Sequence, residues 1–249
     1  RLSGRRVAVF LDYDGTLTPI VRRPELATLP DGMREVVREL ADTCPTAIVS
    51  GRGRDDVASL VQLDNVYTAG SHGFDIVGPE GTRIQYEVDE SIKPVIAAVA
   101  AELEKLTAGI EGTIIEDKRF SVALHYRLVN EARIPELETI VDRLASEYPM
   151  LRKAHGKKVF ELRPTIDWDK GKALLWLLEA LKLSDKDVVP FYIGDDVTDG
   201  DAFAAIRSCG IGVVVIEAPR RTAAHYSLQN ADEVREFLER LTRYAKGIK

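Results

Sequence analysis

The chain has 249 residues, 45% of them hydrophobic and 30% charged, and its 34 Lys and Arg against 40 Asp and Glu give a formal net charge of −6. That length holds one large domain or a core with a smaller insert, and the composition is that of a soluble globular protein rather than a disordered one. The negative balance argues against nucleic acid as a partner, and the absence of an apolar run of ~18 residues argues against a membrane span. No cleavable signal pattern opens the sequence, and Cys44 and Cys209, with no metal-ligand spacing, read as buried free thiols in a reducing cytoplasm. His72, His125, His155 and His225 form no pair spaced for zinc.

In chain order, Val7-Ala-Val-Phe-Leu11 is an apolar run short enough for a buried strand, and it ends in two carboxylates, Asp12 and Asp14. Asp31 opens a helix over 31–43 as its cap, with Val36, Val37 and Leu40 as the apolar stripe. Strand 46–49, helix 55–63 and strand 66–69 follow, and such alternation predicts parallel strands with right-handed crossovers. The pattern then changes. Ile92, Ile96, Val99, Leu103 and Leu106 mark a helix, followed by strands near 112–117 and 120–127 joined around Lys118-Arg119. A helix carrying Ile134, Leu137, Val141 and Leu144 precedes two more strands, near 150–154 and 158–163. Helix, hairpin, helix, hairpin predicts helices on one face of an antiparallel sheet. After Pro164 the first pattern resumes with helix 172–182, strand 188–193, helix 199–206, strand 211–216 and helix 231–245. The fold class is α/β, a doubly wound parallel-sheet (Rossmann-like) core over 1–87 and 165–249, interrupted by an α+β insert over 88–164.

Charge is unevenly spread within the insert. Its strand segments 112–127 and 151–163 carry eight Lys or Arg against three Asp or Glu, a net of +5, whereas the rest of 88–164 carries a net of −6. A basic sheet suits closure over an anionic substrate, the alternative being a solvated basic face.

Asp12 and Asp14 leave the carboxyl end of a strand together, where open α/β sheets place ligands. One carboxylate can attack while the other handles protons, and both can lie close to a metal ion. Asp12-Tyr-Asp-Gly-Thr-Leu17 resembles the nucleophile motif of the haloacid dehalogenase superfamily of phosphotransferases. Phosphoryl transfer is mostly positioning and charge neutralisation, and three further stretches supply the parts. Ser50, with Gly51 and Arg52, follows the second strand and offers a hydroxyl and turn amides for a phosphoryl oxygen, or else an ordinary helix-capping loop. Lys170, with Lys172 as competitor, opens a helix and offers a compact cation. Asp195, Asp196 and Asp199 crowd a strand end, where like charges need a cation among them, and hard oxygens favour Mg2+. An acidic turn with Thr198 or Asp199 as helix cap is the alternative. By resemblance, Asp12 is the nucleophile, Asp14 the acid and base, and Asp12, the Asp14 carbonyl and Asp195 bind Mg2+, with Asp196 and Asp199 as outer ligands.

The chain is also similar to the trehalose-6-phosphate phosphatases at Gly70-Ser-His-Gly73, at Glu116-Asp-Lys118 leading into Val122-Ala-Leu-His-Tyr-Arg127, at Gly156-Lys-Lys-Val159 with Glu161-Leu-Arg-Pro164, and at Gly194-Asp-Asp-Val-Thr-Asp199. That resemblance implies sugar and phosphate binding by Glu116, Lys118, Arg127, Lys157 and Glu161 in the cap, and a substrate-binding role for Gly51, Arg52 and His72. Alternation independently puts Lys157, Glu161 and Arg163 on one strand face and Phe160 and Leu162 on the other, with Arg127 opposite Leu124 and Tyr126. A departure is Gly200, where the family usually has Glu. The implied activity is Mg2+-dependent hydrolysis of trehalose 6-phosphate through an aspartyl-phosphate. The rivals are a phosphatase of sucrose phosphate or mannosylglycerate phosphate, and a non-catalytic phosphosugar-binding module fused to or associated with a trehalose-phosphate synthase.

Overall fold

The computed structural model describes residues 2, 4–21, 23–79, 90–218 and 220–247. Two compact units emerge, Arg1–Tyr86 with Trp168–Lys249, and Glu87–Asp167. The expected junction at 87/88 lies outside the described residues. The other falls at 167/168 rather than at 164/165, because the last strand of the insert runs through Pro164 and the Thr165 amide still donates to Met150 O at 2.8 Å.

The first unit is a seven-stranded sheet in the order β11-β10-β9-β1-β2-β3-β4. Its strands are β1 (Arg6–Leu11), β2 (Thr46–Val49), β3 (Tyr67–Gly70), β4 (Asp75–Val77), β9 (Val188–Gly194), β10 (Ile211–Val215) and β11 (Tyr226–Leu228). All pairs are parallel except β3 with β4. The five central strands are the expected ones. The short edge strands β4 and β11 were not, since three residues are too few to show alternation.

Residues of β1 serve two cores in turn. Val7, Val9 and Leu11 pack with α1 (Asp31–Ala41), α2 (Arg54–Val61) and α7 (Ala231–Lys246) on one face. Ala8 and Phe10 pack with α5 (Lys170–Ala180) and α6 (Asp199–Ala205) on the other. A strand covered on both sides reads as a continuous apolar run, and that is how β1 appears in sequence. Because β2 and β3 lie on one side of β1 while β9, β10 and β11 lie on the other, the strand order reverses at β1, and open α/β sheets bind ligands outside the carboxyl ends of the strands at such a point.

Helix ends differ from expectation in two places. Asp31 does not cap α1; Pro30 holds that position, and Asp31 lies in the first turn. Helix α5 starts at Lys170 because the Asp169 carboxylate accepts from the Lys172 amide at 2.9 Å. Cys44 is buried as expected, but Cys209, in the turn after α6, is exposed. No helix among the described residues is long and apolar enough to cross a membrane.

The second unit is a four-stranded antiparallel sheet, β5-β6-β8-β7, with helices α3 (Ile92–Thr107) and α4 (Ile134–Glu147). Its strands are β5 (Ile114–Asp117), β6 (Val122–His125), β7 (Leu151–Gly156) and β8 (Val159–Pro164). Ile96, Val99 and Leu103 of α3 and Leu137, Val141 and Leu144 of α4 share one core with Val122, Leu124, Phe160 and Leu162, so both helices cover one sheet face. Strand β6 ends at His125, which leaves Arg127 in the following turn. Lys157 likewise sits in the β7–β8 turn and not on a strand face, because Lys158 adopts a left-handed φ of 64° there.

Leu11 is fully buried and is the last strand residue before Asp12. Leu11→Ala is expected to cost about 2–5 kcal/mol in urea unfolding; a cost below ~1 kcal/mol would contradict the packing described.

Candidate active site

The register of β1 on β9 builds the centre of the site. Leu11 pairs with Ile193, and the Asp12 amide donates to Ile193 O at 2.8 Å, so Asp12 and Asp195 leave adjacent parallel strands at the same end. Asp12, Asp195 and Asp199 are buried, and one carboxylate oxygen from each lies within 4.8 Å of the others. Glycine is required beside them. Gly15 has φ 78°, and a Cβ there would lie 1.9 Å from Asp195 Oδ2; a Cβ on Gly194 would lie 2.4 Å from Asp199 Cγ.

Lys170 joins this group from the first turn of α5. Its Nζ donates to Asp12 Oδ1 at 2.6 Å and to Asp199 Oδ1 at 2.7 Å, and its side chain is 3% exposed. The Asp199 carboxylate also accepts from Tyr192 Oη at 2.7 Å and from the Asp196 amide at 2.8 Å. Burial and the neighbouring Asp199 and Asp195 push the Asp12 carboxyl well above the usual range, against the pull of Lys170. Burial works the same way on Asp199, but the Lys170 charge and the hydrogen bonds it receives outweigh it and hold that carboxyl low. Lys170 stays firmly protonated, since Asp12 and Asp199 outweigh its desolvation. Lys170 thus bridges two of the three buried carboxylates, and all three bring an oxygen to one point. Their hard oxygens suit a divalent cation such as Mg2+, which would favour Asp12 as an anion.

The other expected metal residues are disposed differently. Asp196 is outside the trio and accepts from the Val197 amide at 2.7 Å. Asp199, expected at an outer position or as a helix cap, is fully buried inside the first turn of α6 and itself accepts from the Asp196 amide; Thr198 makes no side-chain cap bond. The Asp14 carboxylate turns to Arg52, which donates from Nε at 2.6 Å and from Nη2 at 2.7 Å, while Arg52 Nη1 donates to Asp56 at 2.7 Å.

Ser50 is buried at the end of β2, and its hydroxyl accepts from the Arg52 amide at 3.1 Å. This loop is tied to residues 71–73: the His72 amide donates to Ser50 O at 2.9 Å, and the Ser71 amide to Arg52 O at 2.6 Å. His72 is buried at φ 57°, and a Cβ on Gly51 would meet its Cε1 at 2.8 Å, so Gly51 and His72 need one another's shape. At Gly200 an added Cβ meets nothing within 4 Å, so the departure from Glu leaves open space rather than a packing defect.

In the inserted unit, Glu116, Ala123, Glu161 and Ala154 form one row across the sheet, on the face opposite the helices. Glu161 accepts from Ser121 Oγ at 2.7 Å and pairs with Lys118 Nζ at 3.4 Å; Glu116 lies 2.8 Å from His125 Nε2. Arg127 sits with Lys157 at the other end, donating to its carbonyl at 2.9 Å. The sequence reading missed Tyr192, hidden inside an apolar strand; Asp56, whose i+4 spacing from Arg52 was its signal; and Arg220, which donates to Asp195 O at 2.7 Å.

A family model described as trehalose-phosphatase matches residues 10–232. The chain belongs to the trehalose-phosphatase family. Trehalose-phosphate phosphatase B of Arabidopsis thaliana is 44% identical over 98% of this chain and 68% of its own length. A solved trehalose-6-phosphate phosphatase related protein superposes with TM-score 0.85 at 24% identity, covering 98% of this chain and all of that one. A haloacid dehalogenase-like hydrolase from Bacteroides thetaiotaomicron superposes with TM-score 0.67 at 19% identity, over 95% and 98% of the two chains. The fold is thus that of haloacid dehalogenase-like hydrolases with an inserted cap, and the family is one of phosphoric monoester hydrolases.

Removing the ammonium leaves buried carboxylates uncompensated. Lys170→Met in EDTA is expected to cost about 3–5 kcal/mol in urea unfolding, and adding Asp199→Asn should recover at least ~1 kcal/mol of it. Additive losses in the double variant would contradict the charge balance.

Proposed function

We propose that the chain hydrolyses trehalose 6-phosphate to trehalose and phosphate, with Mg2+ bound by Asp12 and Asp195 and supported by Asp199. The observation that carries the reading is the buried trio of carboxylates sharing Lys170, at the strand ends where a phosphoryl group would meet Asp12. An Asp12 oxygen attacks phosphorus as the bond to the sugar oxygen breaks, and Asp14 gives that oxygen a proton. Water then attacks the aspartyl-phosphate while Asp14 takes its proton, which releases phosphate and restores Asp12. Ser50 and the amides after it hold phosphoryl oxygens, and Lys170 holds charge at Asp12. When bound, Mg2+ would supply further neutralisation of the transferred group. For the sugar, the row of Glu116 and Glu161 with Lys118, Arg127 and Lys157 supplies the acceptors and donors a disaccharide needs. The trehalose assignment rests on family membership and on the names of relatives at 44% identity.

Phosphate release from a panel of sugar phosphates should favour trehalose 6-phosphate over sucrose 6-phosphate and mannosylglycerate phosphate. Turnover should vanish in EDTA and return with Mg2+. Asp12→Asn should reduce it to background while the protein keeps its melting transition. Equal turnover across the panel would defeat the sugar assignment; persistent turnover in Asp12→Asn would defeat the mechanism.

A further inference from the structure

We infer that Ser121 and His125, at the two ends of β6, are positioning residues that hold the carboxylates of Glu161 and Glu116 for sugar hydroxyls. The inference rests on the reading of those carboxylates as sugar acceptors. Strand β6 lies between β5, which carries Glu116, and β8, which carries Glu161. Its Val122 and Leu124 pack with the helices, so Ala123 and His125 face the other way. Ala123 stands between Glu116 and Glu161 in their row. Ser121 lies two residues before it and His125 two after, and each reaches outward to a different neighbouring strand. Ser121 Oγ donates to Glu161 Oε1 at 2.7 Å, and His125 Nε2 lies 2.8 Å from Glu116 Oε2.

An ionised carboxylate only accepts, so Nε2 of His125 carries the proton in its bond to Glu116. Backbone pairing fixes both donors. His125 pairs with Ile114 of β5 and with Val159 of β8, and the Ser121 carbonyl accepts from the Lys118 amide at 2.9 Å. The Glu161 side chain is 9% exposed, and a carboxylate that deep needs hydrogen bonds. Ser121 supplies a short one, and Lys118 adds charge from 3.4 Å on the same oxygen. Neither His125 nor Ser121 takes the second oxygen of the carboxylate it holds. A carboxylate offers about four lone-pair sites, so such a grip is compatible with acceptance of a hydroxyl.

The physical gain is preorganisation. A long side chain that a ligand must itself immobilise weakens binding by about 2- to 10-fold, and a carboxylate held beforehand avoids that loss. Because both donors come from one strand paired on both sides, the two acceptors are also fixed relative to each other. The opposing role is a brace that only ties β5 and β8 to β6.

The test compares a substrate that carries the disaccharide with one that does not. With the full chain and saturating Mg2+ at one pH, kcat and KM are measured for trehalose 6-phosphate and for p-nitrophenyl phosphate. His125→Leu and Ser121→Ala are each expected to lower the ratio of kcat/KM between the two substrates about 2- to 10-fold, through KM for the sugar phosphate. His125→Gln, which puts an amide donor near the place of Nε2, should recover most of the ratio. In a Glu116→Ala background His125→Leu should lower it no further, and Ser121→Ala likewise in Glu161→Ala, since the group each one positions is gone. A loss that persists undiminished in those backgrounds, or that falls equally on both substrates, would overturn the inference in favour of a brace. Glu116→Ala and Glu161→Ala alone separate the two layers. If they leave the ratio unchanged, the sugar-acceptor reading fails and takes the inference with it. If they lower it while His125→Leu and Ser121→Ala do not, only the positioning role fails.

Discussion

The site depends on one buried ammonium. Asp12, Asp195 and Asp199 are brought within a few ångström of one another in a region closed to water, where uncompensated like charges are costly. Lys170 touches two of the three, and with Tyr192 it fixes Asp199 in the first turn of α6. The three carboxylates bring one oxygen each to a point at the strand ends where a metal ion could be held.

This compensation follows from chain topology. Asp12 and Asp195 are the first residues beyond β1 and β9, and the β1–β9 register sets them side by side. Lys170 comes from the first turn of the helix that follows the insert in the chain. The glycines preserve this closeness: any side chain at Gly15 or Gly194 would occupy the space of Asp195 or Asp199.

Much of this was legible in the sequence, and the reasons differ by residue. Strand β1 showed itself because burial on both faces makes an unbroken apolar run, and its abrupt ending marked Asp12. The carboxylates of 195–199 were visible as a cluster that ordinary turn chemistry does not require. Their division of labour was not, because which carboxylate faces Lys170 depends on the path of the chain between β9 and α6. Tyr192 was invisible, since a hydroxyl in an apolar strand looks like core. Arg127 and Lys157 were assigned to strand faces because alternation runs past the true strand ends; the turns that stop β6 and β7 are set by pairing across the sheet, including a left-handed Lys158. Arg52 was assigned to substrate binding from the family resemblance, but its grip on Asp14 joins residues 38 positions apart, beyond any local pattern.

The most direct measurement is rapid acid quench of the protein during turnover of trehalose 6-phosphate with Mg2+, followed by peptide mass mapping. One phosphoryl group on the peptide carrying Asp12, absent in Asp12→Asn, is the predicted result. Continued turnover with no covalent phosphate, or with phosphate on another residue, would contradict Asp12 as the nucleophile.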